Sequence, residues 1–276
     1  MSARPPLDSP DTRPAAPHPI AGGAAGGAGA SDAPGGRSML ELDGVHTYRG
    51  AAHVLQGVSL RVGAGEAVCL VGRNGAGKTT TIESTMGLLA IRDGRIQFRE
   101  RDITRLPTHE RALIGIGYAP EDAGIFPDLT VAENFEIARS LVPAERRGAT
   151  VAGTGVDERV FALFPEVRHF LSRRGLNLSG GQKKMVAIAR ALTLSPSILL
   201  LDEPFEGLAP VVVSRFIDAA RQIKGMGVSL LIAESNLATA SRIADRLYAI
   251  DRGEILFEGG PDAAMENAEV MRTLRG

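Results

Sequence analysis

The octapeptide Gly72-Arg73-Asn74-Gly75-Ala76-Gly77-Lys78-Thr79 constrains this chain more than any other stretch. It follows the pattern G-x-x-x-x-G-K-[ST] and comes directly after the apolar run Ala67 to Val71, which reads as a buried strand. Strand, glycine-rich turn and helix together are the setting in which such a loop holds phosphate. The glycines let the backbone wrap around a phosphate with its N–H groups inward, and the helix adds the positive end of its dipole. Lys78 is then expected to reach the β and γ oxygens, and the Thr79 hydroxyl to ligate Mg²⁺. Thr80 completes the expected nucleotide-binding set with Gly72, Arg73, Asn74, Gly75, Ala76 and Gly77.

Two more continuous apolar runs, Ile198 to Leu201 and Val228 to Ala233, suit strands buried on both faces of a parallel sheet. Between them, Pro210 to Ile223 places Val212, Phe216, Ala219 and Ile223 on one helical face, with Gly225 and Gly227 as stop signals. Strand, helix, strand is the logic of an α/β core. Strand-like stretches at Met39 to Val45 and Val54 to Val62 precede the phosphate loop. The middle, about 88 to 195, reads as a helix-rich subdomain inserted into that core. In it, Thr130-Val131-Ala132-Glu133 forms a capping box for a helix through about Leu141. A small-residue loop, Arg147 to Gly155, then leads to a helical stretch with Val160, Leu163 and Phe164.

Composition narrows the partners. The 31 basic and 32 acidic residues leave a formal charge of −1, which gives no general attraction to nucleic acid or to an anionic membrane. The lone Cys69 has no internal partner, and no Cys/His group has zinc spacing, which fits a reducing compartment. No apolar run approaches the roughly 18 to 20 residues needed to span a bilayer, and the N-terminus lacks the apolar core of a secretory signal. Residues 1–37 hold seven prolines, seven glycines and nine alanines, with only Met1, Leu7 and Ile20 as larger apolar residues. A segment of that kind buries too little surface to offset its ordering entropy and is expected to be a disordered tail.

Two further strings carry chemistry. Ile198-Leu199-Leu200-Leu201-Asp202-Glu203 is an apolar strand ending in two carboxylates, which makes sense where a cation waits. Asp202 suits Mg²⁺, and Glu203 suits orienting and deprotonating a water that attacks the γ-phosphate. In Leu178-Ser179-Gly180-Gly181-Gln182, Ser179 and Gln182 form a capping box for a helix whose face carries Met185, Ile188, Ala189 and Leu192. Its glycine-rich start leaves N–H groups free for an anion.

Taken together, GRNGAGKT, LSGGQ and ILLLDEP resemble the nucleotide-binding subunit of an ABC transporter, and the resemblance covers residues 38 to 276. It implies an α/β fold: a RecA-like core with a mainly parallel sheet, an N-terminal antiparallel β subdomain and an inserted α-helical subdomain. It also implies ATP and Mg²⁺ as ligands and a second ATPase domain, identical or related, docked head to tail. Ser179, Gly180, Gly181 and Gln182 would then face the γ-phosphate on the partner. Tyr48, 24 residues before Gly72, matches the family's aromatic residue that stacks on adenine.

Two positions depart from the common family pattern. Gly117-Tyr118-Ala119-Pro120-Glu121 ends in Glu where Gln is usual, and a carboxylate there still suits Mg²⁺. In Ala233-Glu234-Ser235-Asn236, Ser235 stands where the family's switch histidine touches the γ-phosphate, and serine is shorter and carries no charge. His46, His53, His109 and His169 lie elsewhere and read as surface or packing residues.

These departures, with the run Ile125 to Asn134 and Gly207-Leu208-Ala209-Pro210, resemble the shorter, LivF-type ATPase of branched-chain amino-acid uptake systems. That resemblance implies membrane permease subunits as partners, docked on the helical subdomain and the Glu121 to Asn134 region. It implies a solute-binding protein as an indirect partner, no nucleic acid, and a peripheral place on the cytoplasmic side of the inner membrane. Asp202-Glu203-Pro204-Phe205-Glu206-Gly207 also resembles the ATPase of a lipopolysaccharide exporter. A slow ATP-binding switch is the third reading, in which Ser235 leaves hydrolysis weak.

Overall fold

A computed structural model describes residues 37–142, 147 and 157–275. The expected tail apart from Arg37, and the loop Arg147 to Gly155 apart from Arg147, lie outside the described residues.

The described chain builds two sheets. In the first, β1 (Ser38–Arg49), β2 (Ala52–Gly63), β4 (Ile91–Phe98) and β5 (Arg101–Asp102) pair antiparallel in the order β2-β1-β4-β5. In the second, β3 (Ala67–Val71), β6 (Ile116–Ala119), β7 (Ile198–Asp202), β8 (Ser229–Glu234) and β9 (Arg246–Asp251) run parallel, and β10 (Glu254–Gly259) closes one edge antiparallel. The order is β10-β9-β3-β8-β7-β6, so β8 threads between β3 and β7 although it follows both in the chain.

The continuous apolar runs have a direct cause in this layering. Ala67, Cys69 and Val71 of β3, Leu199 and Leu201 of β7, and Leu230 and Ile232 of β8 face one cluster with α5 (Gly180–Thr193) and α6 (Pro210–Gly225). The alternate residues Val68, Leu70, Ile198, Leu200, Leu231 and Ala233 face a second cluster with α1 (Lys78–Met86) and the antiparallel sheet. Both faces of each central strand are therefore dry, and period-2 alternation has nothing to mark. Truncating one fully buried side chain such as Leu200 to alanine costs about 2–5 kcal/mol.

Residues 88–195 are less uniformly helical than the sequence suggests. Strands β4 and β5 belong to the antiparallel sheet, and α2 (Thr108–Ile114) leads into β6 of the parallel one. The helical part begins only after β6. It contains α3 (Val131–Ser140), α4 (Glu158–Leu163), two 3₁₀ turns at Pro165–Phe170 and Gly175–Asn177, and the start of α5. Strand β4 is hard to read because only Ile96 and Phe98 are buried in it, while Arg92 to Arg95 lie exposed. Both expected capping boxes form, Thr130 with Glu133 and Ser179 with Gln182. Among the described residues no helix is long and apolar enough to cross a membrane.

Candidate functional site

The site lies at the C-terminal ends of β3, β7 and β8, which share one level because Val71 pairs with Glu234 and Asp202 with Ala233. Ligand sites of open α/β sheets form at such strand ends. The phosphate loop leaves β3 under tight constraint, since a Cβ on Gly72 would meet the carbonyl oxygen of Ile250 at 2.5 Å. Gly77 takes a φ of +115° to start α1, and no side chain caps that helix. The first turn thus keeps its amide groups for an anion.

Lys78 is buried to 4% exposure yet fully engaged. Its ammonium donates to the carbonyls of Gly72 at 2.8 Å and Arg73 at 3.1 Å, and it pairs with Glu203 Oε1 at 3.0 Å. Arg73, Asn74 and Gly75 are exposed beside it. The Thr80 hydroxyl accepts from Arg49 Nε at 3.2 Å, and Arg49 also pairs with Glu83, so the Thr80 side chain ties α1 to β1.

The Thr79 hydroxyl donates to Asp202 Oδ1 at 3.1 Å. The other oxygen, Oδ2, is buried and has no hydrogen-bond partner among the described residues. Burial, with Glu121, Glu203 and Glu83 adding like charge, pushes the Asp202 carboxyl up to about 6 against the opposing Thr79 bond. An orphaned buried carboxylate oxygen beside a hydroxyl is a donor set that suits a hard cation. Among the described residues no cluster of three or more His, Cys, Asp or Glu forms a metal cage. Mg²⁺ needs none, because it is commonly held by one or two protein oxygens plus phosphate and water.

Glu203 follows Asp202 with φ +45°, a conformation a non-glycine residue adopts only where its surroundings enforce it. Those surroundings are specific. Ser235 Oγ donates to Glu203 Oε1 at 2.6 Å, the Ser235 N–H donates to Oε2 at 3.2 Å, and Lys78 pairs with Oε1. Ser235 Oγ also lies 3.1 Å from Asn74 Oδ1, linking the end of β8 to the phosphate loop. Lys184 of α5 donates to the Glu203 carbonyl at 2.5 Å.

Glu121 is exposed in the loop after β6. Burial, followed by the charge of the nearby Glu206 carboxyl, raises its pKa. The structure thus brings it to Glu206, and no hydrogen bond joins it to Thr79 or Asp202 among the described residues. At the start of α5 the Ser179 hydroxyl accepts from the Gln182 main-chain N–H at 3.3 Å and Gln182 Oε1 from the Ser179 main-chain N–H at 3.0 Å. Among the described residues no hydrogen bond or ion pair connects Ser179 to Gln182 with the phosphate loop of the same chain. A Cβ on Gly180 would meet nothing within 4 Å, and one on Gly181 only Leu208 at 3.4 Å and Val212 at 3.7 Å.

Tyr48 sits on β1 opposite His53 of β2 and stacks on it, with ring centroids 4.3 Å apart and an interplanar angle of 1°. The sequence reads His53 as a surface or packing residue and gives Glu234 no role. Glu234 ends β8 beside Ser235; its Oε1 accepts from the Asn236 N–H at 2.8 Å, and its buried Oε2 has no partner among the described residues. Burial, reinforced by the charge of Glu203, pushes it up to about 7 despite that bond. Only its place at the end of an apolar strand signalled it.

Residues 55–206 match the family model described as ABC transporter. The chain is 38% identical over 245 residues to the lipopolysaccharide export system ATP-binding protein LptB of Haemophilus influenzae, covering 87% of this chain and 98% of that protein. It is 33% identical over 232 residues to the high-affinity branched-chain amino acid transport ATP-binding protein BraG of Pseudomonas aeruginosa, covering 84% and 97%. Among solved structures it is similar to the dimeric ATP-binding cassette MJ0796 bound to ADP and Pi. The TM-score there is 0.71 at 25% identity, covering 81% of this chain and 99% of that one.

Proposed function

The chain belongs to the ABC transporter family as an ATP-binding, ATP-hydrolysing subunit, and from that premise we propose how its residues divide the work. Lys78 trades its main-chain carbonyls and Glu203 for phosphate oxygens, which frees the Glu203 carboxylate to turn toward water. Glu203 is the general base: one of its oxygens takes the proton of the attacking water while Ser235 holds the group in place. Thr79 and Asp202 hold Mg²⁺, which when bound offsets phosphate charge. Glu121 is the secondary metal ligand near this site. Tyr48 stacks on the adenine. The observation that carries this division is the Lys78–Glu203–Ser235 chain, at 3.0 and 2.6 Å, beside the unsatisfied oxygen of Asp202.

The Ser179 to Gln182 turn, exposed at Ser179 and Gly180, meets the phosphate loop of a second ATPase domain, as an open Gly180 allows. The MJ0796 cassette is itself dimeric. Permease subunits dock on the helical part and the Glu121 to Asn134 region, on the cytoplasmic side of the inner membrane. The first reading of the cargo is a branched-chain amino acid or related small solute, imported with a solute-binding protein; Glu121, the lack of a histidine at position 235 and the likeness to BraG support it, although Ser235 differs from the Gln usual in that group. The second is lipopolysaccharide-type export, favoured by the 38% identity to LptB along almost its whole length. Purification from native membranes followed by identification of the co-purifying subunits tests both. A permease pair with a solute-binding protein supports import, and membrane subunits of a lipid exporter support the second reading. DNA or ribosomes in their place overturn transport.

A further inference from the structure

The hairpin between β1 and β2 carries two histidines at half-buried positions, His46 and His53. We propose that His53 is a positioning residue that buttresses the Tyr48 ring as a nucleobase platform, and that His46 sets the plane of His53. The proposal rests on the reading of Tyr48 as the residue that stacks on adenine.

Tyr48 and His53 are direct cross-strand partners, and their rings lie parallel in contact. Cross-strand ring pairs of this kind couple two side chains that would otherwise turn independently. His46 Nδ1 and His53 Nε2 are 3.0 Å apart while the two ring centroids are 5.2 Å apart. The rings therefore meet edge to edge through their nitrogens. One N–H between them fixes both the place and the plane of His53. This is the geometry of a shared proton. A metal ion held by both rings would need the nitrogens to converge on a point beside the line joining them. Gly57 stands beside His46 with a φ of +84°, a left-handed backbone conformation that favours glycine, and a Cβ there would lie at ordinary contact distance, 3.5 Å, from His46 Nε2.

Tyr48 is 37% exposed at the hairpin end, where an unsupported ring would lose rotamer freedom on ordering against a base. With His53 against one face, that ordering is complete before a nucleotide arrives, and the base takes the opposite face once the exposed Arg92 guanidinium, which lies over the ring, swings aside. The charged neighbours on β4 are Arg92, whose guanidinium carbon is 5.4 Å from the Tyr48 centroid, and Asp93, which pairs in register with His46. Both are exposed, and neither bonds the histidine pair.

Steady-state ATPase kinetics and calorimetry on the full chain test this, with ATP and inorganic tripolyphosphate as probes. The His53→Ala variant is expected to raise KM for ATP about three- to tenfold with kcat retained. Tripolyphosphate, which has no base, should bind as it does to the parent. His53→Phe should restore the parental KM. A parental KM in His53→Ala, or equal weakening of ATP and tripolyphosphate, overturns the buttress. Tyr48→Ala in parallel separates this from the reading beneath it. A parental KM in Tyr48→Ala removes the base platform itself, whereas weakened ATP binding there beside a parental His53→Ala removes only the role of His53.

Discussion

Ser235 grips both oxygens of the Glu203 carboxylate, its hydroxyl donating to Oε1 at 2.6 Å and its main-chain N–H to Oε2 at 3.2 Å. Removing the hydroxyl leaves the amide contact alone. A hydrogen bond to a charged group contributes about 1.5–3 kcal/mol, so Ser235→Ala is expected to lower kcat at least about tenfold with little change in KM for ATP. Ser235→His, which restores the family's usual side chain, should raise turnover. No gain would count against serine as the feature that limits the rate.

Glu203→Gln preserves the shape of the side chain and its acceptor toward Ser235 but removes the base. Turnover should fall by about 10²–10⁴-fold while ATP binding persists. A nucleotide-bound dimer that accumulates on gel filtration would accompany that loss. Parental ATPase activity in this variant would sink Glu203 as the general base.

Two glycines separate folding from assembly. A Cβ on Gly72 would stand 2.5 Å from the Ile250 carbonyl oxygen, so Gly72→Ala should displace the phosphate loop and lower the melting temperature. On Gly180 it would meet nothing, so Gly180→Ala should melt like the parent. Yet it should lose ATP-dependent dimerisation and turnover, because the crowding arises only against a second domain. An active Gly180→Ala would argue that Gly180 does not face a partner's nucleotide.

Glu234 ties stability to pH. Burial raises its carboxyl from the ordinary 4.5 to about 7, so between those values the folded chain keeps a proton that the unfolded chain has lost. Its contribution is therefore least costly below pH 4.5, and stability falls as pH rises through the window until the cost is complete above 7. Denaturant titrations from pH 4.5 to 8 should show this slope, and Glu234→Gln should flatten it. The difference near pH 8 should be about 1–3 kcal/mol. An equal slope in both proteins would place the titration on another group.

The parallel core was legible because strands dry on both faces leave unbroken apolar runs, as at Ile198 to Leu201 and Val228 to Ala233. The capping boxes at Thr130 and Ser179 were legible for a different reason: their spacing is local and self-contained. Strand β4 was not, since its Arg92-Asp93-Gly94-Arg95 half carries no buried residue and its partner β1 lies far back in the chain. Lys78, Thr79, Asp202 and Glu203 could be singled out by motif, but not the Lys78–Glu203 and Thr79–Asp202 bonds. The linkage of Ser235 to Asn74 spans 161 residues and depends on β8 entering between β3 and β7. His53 read as a surface or packing residue because its stacking comes only from hairpin register, which sets it against Tyr48.

The threading of β8 between β3 and β7 has a consequence for amide exchange. Each of the three strands is hydrogen-bonded on both sides within the sheet, β3 by β8 and β9, β8 by β3 and β7, and β7 by β8 and β6. None of them can peel off as an edge does, and pulling one out breaks two ladders at once. Their amide hydrogens should therefore exchange with deuterium only through opening of the whole sheet, at one common slow rate, while those of the β1–β2 hairpin exchange earlier. The groups at their C-terminal ends would then be kept or lost together.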